Sequence, residues 1–175
     1  MNNISEIAQL GTPVLRQKAE AITEVSSLET QQIINTLSVT LASTQGVGIA
    51  APQISISKQI IIVASRPSTR YPHAPLMEPT VMINPSFQPL SEHKEKDWEG
   101  CLSIPGIRAL VPRYTQIEIT YTDINAQLIT MPFNGFIARV FQHEYDHLDG
   151  TVYLDRVEDN KDIFAESEYF KLFNN

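Results

Sequence analysis

The chain has 175 residues, of which 42% are apolar and 19% charged, and its 13 basic and 20 acidic residues give a net charge of −7. This composition predicts one globular domain over residues 1–175 and excludes a disordered chain. The acidic excess argues against a direct nucleic-acid site, which needs clustered lysine and arginine. The single cysteine cannot form an internal disulfide, which favours a reducing compartment.

The beginning of the sequence shows no targeting pattern. The first residues contain neither a basic region followed by an apolar run nor an arginine-rich transit pattern. The longest apolar stretch, Ile60 to Ala64, is far shorter than a membrane span. We therefore expect a cytoplasmic protein that makes no membrane contact.

The first half of the chain predicts one helix and two strands. Ser26 and Glu29 resemble a capping box, and apolar residues then recur at helical spacing before Gly46, so a helix is predicted over about 28–44. β-Branched runs at 59–64 and 81–84 predict two strands, the second ending at Pro85. A proline-rich loop over 65–79 connects these strands.

The second half predicts a hairpin followed by a helix. Residues 117–121 alternate in polarity, 123–125 form a turn, and 128–133 return as the second strand. Gly135 opens a second helix that runs to about Leu148. We expect an α+β fold, in which short antiparallel sheets pack around this central helix. An N-terminal helix and an acidic C-terminal tail or helix over 155–175 complete the prediction.

The second predicted helix carries a His-Glu-x-x-His pattern. His143 and His147 are four residues apart, so both imidazoles leave the same helical face and can hold one metal ion. Glu144 lies next to the first histidine, close enough to take a proton from a metal-bound water. The alternative is an amphipathic helix with two histidines and no ligand.

A catalytic metal site needs a third protein ligand and an open position. The residues after His147 contain no third-ligand pattern typical of zinc endopeptidases. The remaining candidate is Cys101, which Gly100 and a following Pro-Gly turn place where a side chain can be presented. The alternative is a small buried hydrophobic residue.

Two further segments predict substrate contacts. Phe136 and Val140 share the helical face of the histidines, which predicts an apolar pocket beside the metal, unless both only widen the core-facing stripe. In the segment 46–53, glycines and alanines allow another backbone to approach, and Gln53 offers an amide donor for an oxyanion. A tight turn after the first helix would explain this segment equally well.

Together, three segments resemble the signature of the peptide deformylase family. The family pattern consists of Gly-x-Gly-aliphatic-Ala-Ala-x-Gln, then Glu-Gly-Cys-Leu-Ser, then Gln-His-Glu-x-Asp-His-Leu-x-Gly. The sequence carries these motifs in order at 46–53, 99–103 and 142–150. The resemblance spans roughly residues 8–155.

The resemblance implies removal of the formyl group from the N-formylmethionine of nascent polypeptides, with release of formate. One divalent metal is implied, natively Fe²⁺, with Ni²⁺, Co²⁺ or Zn²⁺ as substitutes, and its ligands would be Cys101, His143 and His147. Metal-bound water would attack the formyl carbon, with Glu144 as general base and then general acid. The Gln53 amide and the Leu102 backbone N–H would stabilise the oxyanion.

The resemblance also implies a set of substrate-binding residues. The methionine pocket would be lined by Val47, Arg108, Phe136, Arg139, Val140 and His143, and the peptide backbone would bind beside Gly46, Gly48 and Gly100. We expect the Arg139 stem to line the pocket while its guanidinium reaches water. Gln142 is expected to orient a metal-bound imidazole. Glu99 and Arg113 are either a supporting ion pair or two solvated charges.

The expected partners are N-formylmethionyl peptides. Some family members dock on the ribosome through a basic terminal helix, but acidic residues outnumber basic ones over 155–175. RNA phosphates would repel such a tail, which argues against this ribosome association. Two alternatives stay open, namely a catalytically inert metal-binding homologue and a zinc endopeptidase.

Overall fold

The computed structural model describes residues 4–67 and 71–173, so part of the predicted loop over 65–79 and both chain ends lie outside the described residues. Three α-helices and eight strands are described, in chain order: α1 Leu28–Ala42, β1 Gly48–Ala50, β2 Ile60–Ser65, β3 Met77–Pro89, β4 Lys94–Cys101, β5 Ile104–Tyr114, β6 Gln116–Thr122, β7 Leu128–Asn134, α2 Gly135–Leu148, β8 Ile163–Ala165 and α3 Glu166–Lys171.

The strands form two antiparallel sheets with α2 between them. One sheet has the order β1-β2-β3-β6-β7, and the other has the order β4-β5-β8. Helix α2 contacts β1, β2, β6 and β7 of the first sheet and β5 of the second, while α1 packs on β1 and β2. The predicted α+β fold with antiparallel sheets and few helices is confirmed.

Strand β2 is buried along its whole length because helices cover both faces of the sheet at this point. Ile61 and Val63 belong to the apolar cluster that contains Phe141 of α2. Ile62 belongs to the opposite cluster, with Leu37 of α1. A strand covered on both faces has no polar side, which explains its continuous β-branched run instead of an alternating pattern.

Several predicted boundaries differ from the structure, including that of the loop predicted over 65–79, whose last residues belong to β3 from Met77 onward. Ser27, and not Ser26, caps α1, because its Oγ accepts a hydrogen bond from the Thr30 N–H at 3.2 Å. The strand predicted to end at Pro85 continues to Pro89. The register of β3 against β6 shifts between Ile83 and Ser86, and such an irregularity accommodates a proline that lacks a donor.

Strands β4 and β5 carry no pattern that predicts them. Five of the eight residues of β4 are charged and its first four residues are exposed, so its sequence has neither the β-branched content nor the alternation of a typical strand. The two strands form an antiparallel hairpin, in which Lys94 pairs with Tyr114 at the open end and Cys101 with Ile104 at the turn. Pairing along this hairpin, rather than local preference, therefore stabilises them.

The predicted acidic tail contributes to the second sheet. Strand β8 pairs with β5, opposing Phe164 to Arg108. The Trp98 ring lies 5.0 Å from the Phe164 ring and 4.9 Å from the Tyr169 ring, in edge-to-face contacts. These aromatic contacts hold β8 and α3 against the hairpin. None of the helices among the described residues is long and apolar enough to span a membrane.

Candidate active site

Strand β4 and helix α2 together supply three side chains that could bind one metal ion. Cys101 is the last residue of β4, at a tight turn into β5, while His143 and His147 leave α2 one turn apart. Their ligand atoms all lie within 4.8 Å of one another, and Cys101 Sγ is 3.3 Å from His147 Nε2. One thiolate and two imidazoles at these separations fit a single divalent ion with an open coordination position.

The charges of this cluster favour the thiolate. Burial alone would raise the pKa of Cys101, but the imidazoles of His147 and His143 outweigh it and hold that pKa well below its ordinary value. Burial would likewise lower the pKa of His143, yet the Cys101 thiol and the Glu99 carboxylate raise it well above the usual value. Such a cluster exchanges its protons for a divalent cation.

Two buried polar atoms within the described residues have no hydrogen-bond partner, namely Glu144 Oε2 and His147 Nδ1. Glu144 is 5% exposed, and burial raises its pKa to about 7, although the nearby imidazoles act in the opposite direction. A buried carboxylate oxygen without a partner is costly unless a ligand uses it. The residues present therefore fit a divalent metal with an adjacent proton acceptor.

Glycine at position 48 permits close contact between β1 and the carboxylate. A Cβ on Gly48 would lie 2.4 Å from Glu144 Oε1, closer than real atoms approach. Strand β1 lies at an edge of its sheet, where β2 is its single partner among the described strands, and Val47 and Gly48 also line the cavity described below. The small residues that the sequence analysis singled out therefore lie beside the metal-binding cluster.

The side chain of Gln53 is held in one orientation. Its Oε1 accepts a hydrogen bond from the Ala50 N–H at 2.9 Å. Its Nε2 donates to Ser103 Oγ at 3.2 Å and lies 3.5 Å from Cys101 Sγ. Because the oxygen is engaged by the backbone, the amide donor points to the cluster.

Glu99 orients the first histidine, which is a role that the sequence analysis assigned to Gln142. His143 Nδ1 donates to Glu99 Oε2 at 2.9 Å. The Gln142 side chain instead bonds the backbone N–H and carbonyl of Tyr114, so it ties α2 to the end of β5. The prediction for Gln142 is wrong because the residue after it on the helix faces the cluster while Gln142 itself faces the hairpin.

The ion-pair interpretation of Glu99 and Arg113 is confirmed. Arg113 Nε and Nη2 donate to the two Glu99 oxygens at 2.9 and 3.0 Å, and both side chains are almost fully buried. Arg113 Nη1 also donates to Asp146 of α2 at 2.6 Å. Asp146 was missed by the sequence analysis, although its place in the helix motif could have indicated it.

The guanidinium of Arg139 does not reach water as predicted. Its Nη1 donates to Glu99 Oε1 at 2.8 Å and to the Val111 carbonyl at 2.7 Å. Its Nη2 donates to the Glu95 carbonyl at 2.6 Å. The hairpin lies over this part of α2 and offers backbone acceptors there, so the guanidinium is buried beneath it while the residue still lines the cavity.

A cavity of about 340 Å³ opens beside the cluster. Every site residue predicted from the sequence, apart from the buried ligand His147, lines it: Gly46, Val47, Gly48, Gln53, Gly100, Cys101, Leu102, Arg108, Phe136, Arg139, Val140, His143 and Glu144. Tyr71, Trp98 and Glu166 line it as well and carry no sequence signal that predicts them there. The residues brought together thus come from segments that are far apart in the sequence.

An α+β fold with a cysteine-and-histidine metal cluster, a buried carboxylate and an adjoining cavity defines a metallohydrolase. A sequence profile of the family described as Polypeptide deformylase matches residues 4–162. Peptide deformylase 2 of Nostoc sp. strain PCC 7120 is 52% identical over 166 residues, which are 95% of this chain and 93% of that protein. Peptide deformylase 1 of Nitrosomonas europaea is 43% identical over 156 residues, 89% of each chain.

The fold agrees with these similarities. A crystal structure of class I type b peptide deformylase from Acinetobacter baumannii, with Met-Ala-Ser bound, matches with a TM-score of 0.87 at 38% identity and covers 90% of this chain and 100% of that one. The chain therefore belongs to the peptide deformylase family. Enzymes of this family depend on a metal ion and remove the formyl group from nascent chains, so the predicted enzyme class and reaction are confirmed.

Proposed function

We propose that the cavity binds the first residue of an N-formylmethionyl peptide and that its formyl group reacts beside a divalent metal. The proposed metal ligands are Cys101, His143 and His147. One observation supports this most strongly: the three ligand atoms, an unpartnered buried carboxylate and an apolar-walled cavity all meet at one place.

Fe²⁺ is the proposed native ion, with Ni²⁺, Co²⁺ or Zn²⁺ as substitutes. When bound, a divalent ion supplies Lewis acidity that polarises a carbonyl and brings the pKa of water towards 7. A thiolate and two imidazoles do not select strongly among these metals. Ferrous iron next to a thiolate makes activity sensitive to oxygen, so iron-loaded enzyme is expected to lose activity on aeration while nickel-loaded enzyme keeps it.

Glu144 is the proposed proton carrier. Its carboxylate takes a proton from the attacking water as the new C–O bond forms at the formyl carbon. The same carboxyl then gives that proton to the amine nitrogen as the C–N bond breaks, which releases formate and a free N-terminus. A carboxyl group suits both steps, because it can be charged before the attack and neutral after it.

Gln53 and Leu102 are the proposed donors to the developing oxyanion. The Gln53 amide is already oriented to the cluster by its hydrogen bond from Ala50. The Leu102 backbone follows Cys101 at the turn, and its residue lines the cavity. A fixed donor of this kind contributes about 3 kcal/mol to transition-state stabilisation.

The apolar walls of the cavity are the proposed methionine pocket. Val47, Phe136 and Val140 line it together with the stem of Arg139. Gly48 at the edge strand β1, Gly46 just before this strand and Gly100 near the end of β4 are proposed to bond the peptide backbone, as an extended peptide adds to a sheet edge. Arg108 is proposed to line this pocket as well, on the side where the peptide residues that follow the methionine would leave it.

The proposal is tested by formate release from formyl-Met-Ala-Ser, with protein prepared without oxygen and loaded with Fe²⁺ or Ni²⁺. Turnover should require the metal and be blocked by a chelating hydroxamate. The acetyl-Met-Ala-Ser control should release no acetate, and neither peptide should be cleaved internally. Glu144→Ala should keep its metal while turnover falls about 10²- to 10⁴-fold.

Other results would contradict the proposal in different ways. No formate from metal-replete protein would favour an inert metal-binding homologue, and internal cleavage would favour an endopeptidase. Unchanged turnover in Glu144→Ala would show that Glu144 is not the proton carrier.

The cytoplasm is the proposed compartment, since a lone thiol ligand stays reduced there. The acidic C-terminal segment is not proposed to dock on ribosomal RNA.

A further inference from the structure

The C-terminal segment places an acidic side chain at the cavity. Glu166, the first residue of α3, lines the same cavity as Cys101 and Glu144. Its Oε1 accepts hydrogen bonds from Arg108 Nε at 3.0 Å and from Arg108 Nη2 at 2.6 Å. A carboxylate from the end of the chain therefore engages a guanidinium of the proposed peptide-binding wall.

Arg108 is held from its other sides as well. A Cβ on Gly100 would lie 2.1 Å from Arg108 Nη1, so the guanidinium lies directly against the backbone next to Cys101. The Arg108 guanidinium carbon is 5.7 Å from the centre of the Tyr169 ring of α3. Position and charge of this arginine thus depend on both the ligand-bearing strand and the C-terminal helix.

Glu166 is the more accessible member of the pair. Its side chain is 28% exposed, against 8% for Arg108. The other acidic side chains that line the cavity, Glu99 and Glu144, are 4% and 5% exposed. A charged side chain of an entering peptide is therefore more exposed to the Glu166 carboxylate than to the Arg108 guanidinium, which is paired and more deeply buried.

We propose that Glu166 is a specificity-determining residue of this cavity, which neutralises Arg108 and selects against peptides with acidic side chains in the positions that follow N-formylmethionine. The inference rests on the proposed function, because it concerns which formylated peptides the cavity accepts. An acidic side chain of the peptide would be repelled by the Glu166 carboxylate. It could also not pair with Arg108, because Glu166 already occupies that guanidinium.

The test compares three peptide amides, formyl-Met-Asp-Asp, formyl-Met-Asn-Asn and formyl-Met-Lys-Lys, by kcat/KM for formate release. The wild type should favour the Lys peptide over the Asp peptide. Glu166→Gln keeps the shape of the side chain and removes its charge. The kcat/KM for the Asp peptide, divided by that for the Lys peptide, should therefore rise about tenfold. This change should shrink in 0.5 M NaCl, because salt screens exposed charges.

Glu168→Gln is the matched control. It removes one negative charge from the same helix, but Glu168 pairs with Lys171 on the surface, 2.7 Å away, and does not line the cavity. In Glu168→Gln, the ratio of kcat/KM for the Asp peptide to that for the Lys peptide should stay close to the wild-type ratio. Glu166→Asp, which keeps the charge, should also stay closer to the wild type than Glu166→Gln does.

Three outcomes are distinguishable. An Asp to Lys ratio that is unchanged in Glu166→Gln, or that rises equally in Glu168→Gln, would overturn the inference. An equal loss of kcat/KM for all three peptides in Glu166→Gln would show a purely structural role and overturn it as well. Absence of formate from the neutral Asn peptide in the wild type would instead contradict the proposed function.

Discussion

At Gly48 the missing side chain decides where a reactive group can lie. The Glu144 carboxylate occupies the space that a Cβ on residue 48 would need. Because Glu144 is buried, with 5% of its surface exposed, its side chain cannot move out into solvent to make room. Glycine is required at this position for the approach of a buried carboxylate rather than for a special backbone conformation.

We expect Gly48→Ala to displace the Glu144 carboxylate and to reduce formate release strongly. The overlap should also lower the free energy of unfolding by about 1–3 kcal/mol, as overpacking in a core does. Urea unfolding and kcat measured on the same preparation check both effects.

The background Glu144→Ala provides the control for this substitution. It removes the carboxyl and Cγ atoms that the new Cβ would meet. In this background, Gly48→Ala should change stability little, because the two substitutions share one contact. An equal loss of stability in both backgrounds would show that the overlap with Glu144 is not the cause.

At the scale of elements, the β4–β5 hairpin is fixed to α2 through buried charges. Glu99 of β4 receives hydrogen bonds from Arg113 of β5 and from Arg139 and His143 of α2. Burial would raise the pKa of Glu99, but Arg113 and His143 hold it well below its usual range, so the carboxylate stays charged at neutral pH. One carboxylate thus links hairpin, helix and metal-binding histidine.

Glu99→Gln should therefore damage stability and metal binding together. Removing one member of a buried ion-pair network costs about 3–5 kcal/mol, since the remaining charges lose their partner. Loss of the partner that orients a histidine ligand typically weakens metal affinity by about 10- to 100-fold. Urea unfolding of the metal-free protein and competition with a chromophoric chelator measure the two effects separately.

The exposed ion pair of Lys96 and Glu158, 3.0 Å long, offers a control. Glu158→Gln should cost less than about 1 kcal/mol and leave metal affinity unchanged, because solvent screens the pair. If Glu99→Gln behaves like this surface variant, the network does not support the site.

At the scale of the whole molecule, the proposed metal site of Cys101, His143 and His147 joins two sheets. Cys101 belongs to the three-stranded sheet, while the helix that carries both histidines also packs against the five-stranded sheet. A bound ion would therefore cross-link units that are otherwise held by packing and ion pairs. Binding to the folded state alone must stabilise it by mass action.

We expect removal of the metal with a chelator to lower Tm by about 10 °C. At metal concentrations 1,000-fold above Kd, the linkage is worth about 4 kcal/mol, and each kcal/mol shifts Tm by about 2–4 °C at this chain length. Calorimetry of metal-free and Ni²⁺-loaded protein measures the shift. Cys101→Ser should show a much smaller difference between the two states, and an equal difference would argue against a thiolate ligand.

The sequence by itself determined the elements and motifs whose information is local. Helical spacing predicted α1 and α2, and alternation and turn residues predicted the β6–β7 hairpin. Three short motifs, together with the spacing along α2, named many of the residues that line the cavity. It did not predict β4 and β5, because most residues of β4 are charged and this segment becomes a strand only through pairing with β5.

Only the tertiary structure decided which partner each buried polar group meets. It assigned Glu99 rather than Gln142 to His143, buried the Arg139 guanidinium beneath the hairpin and placed Glu166 beside Arg108. These contacts join residues about 30 to 60 positions apart. Spacing along one element fixes which face a side chain leaves, but long-range packing fixes what lies opposite that face.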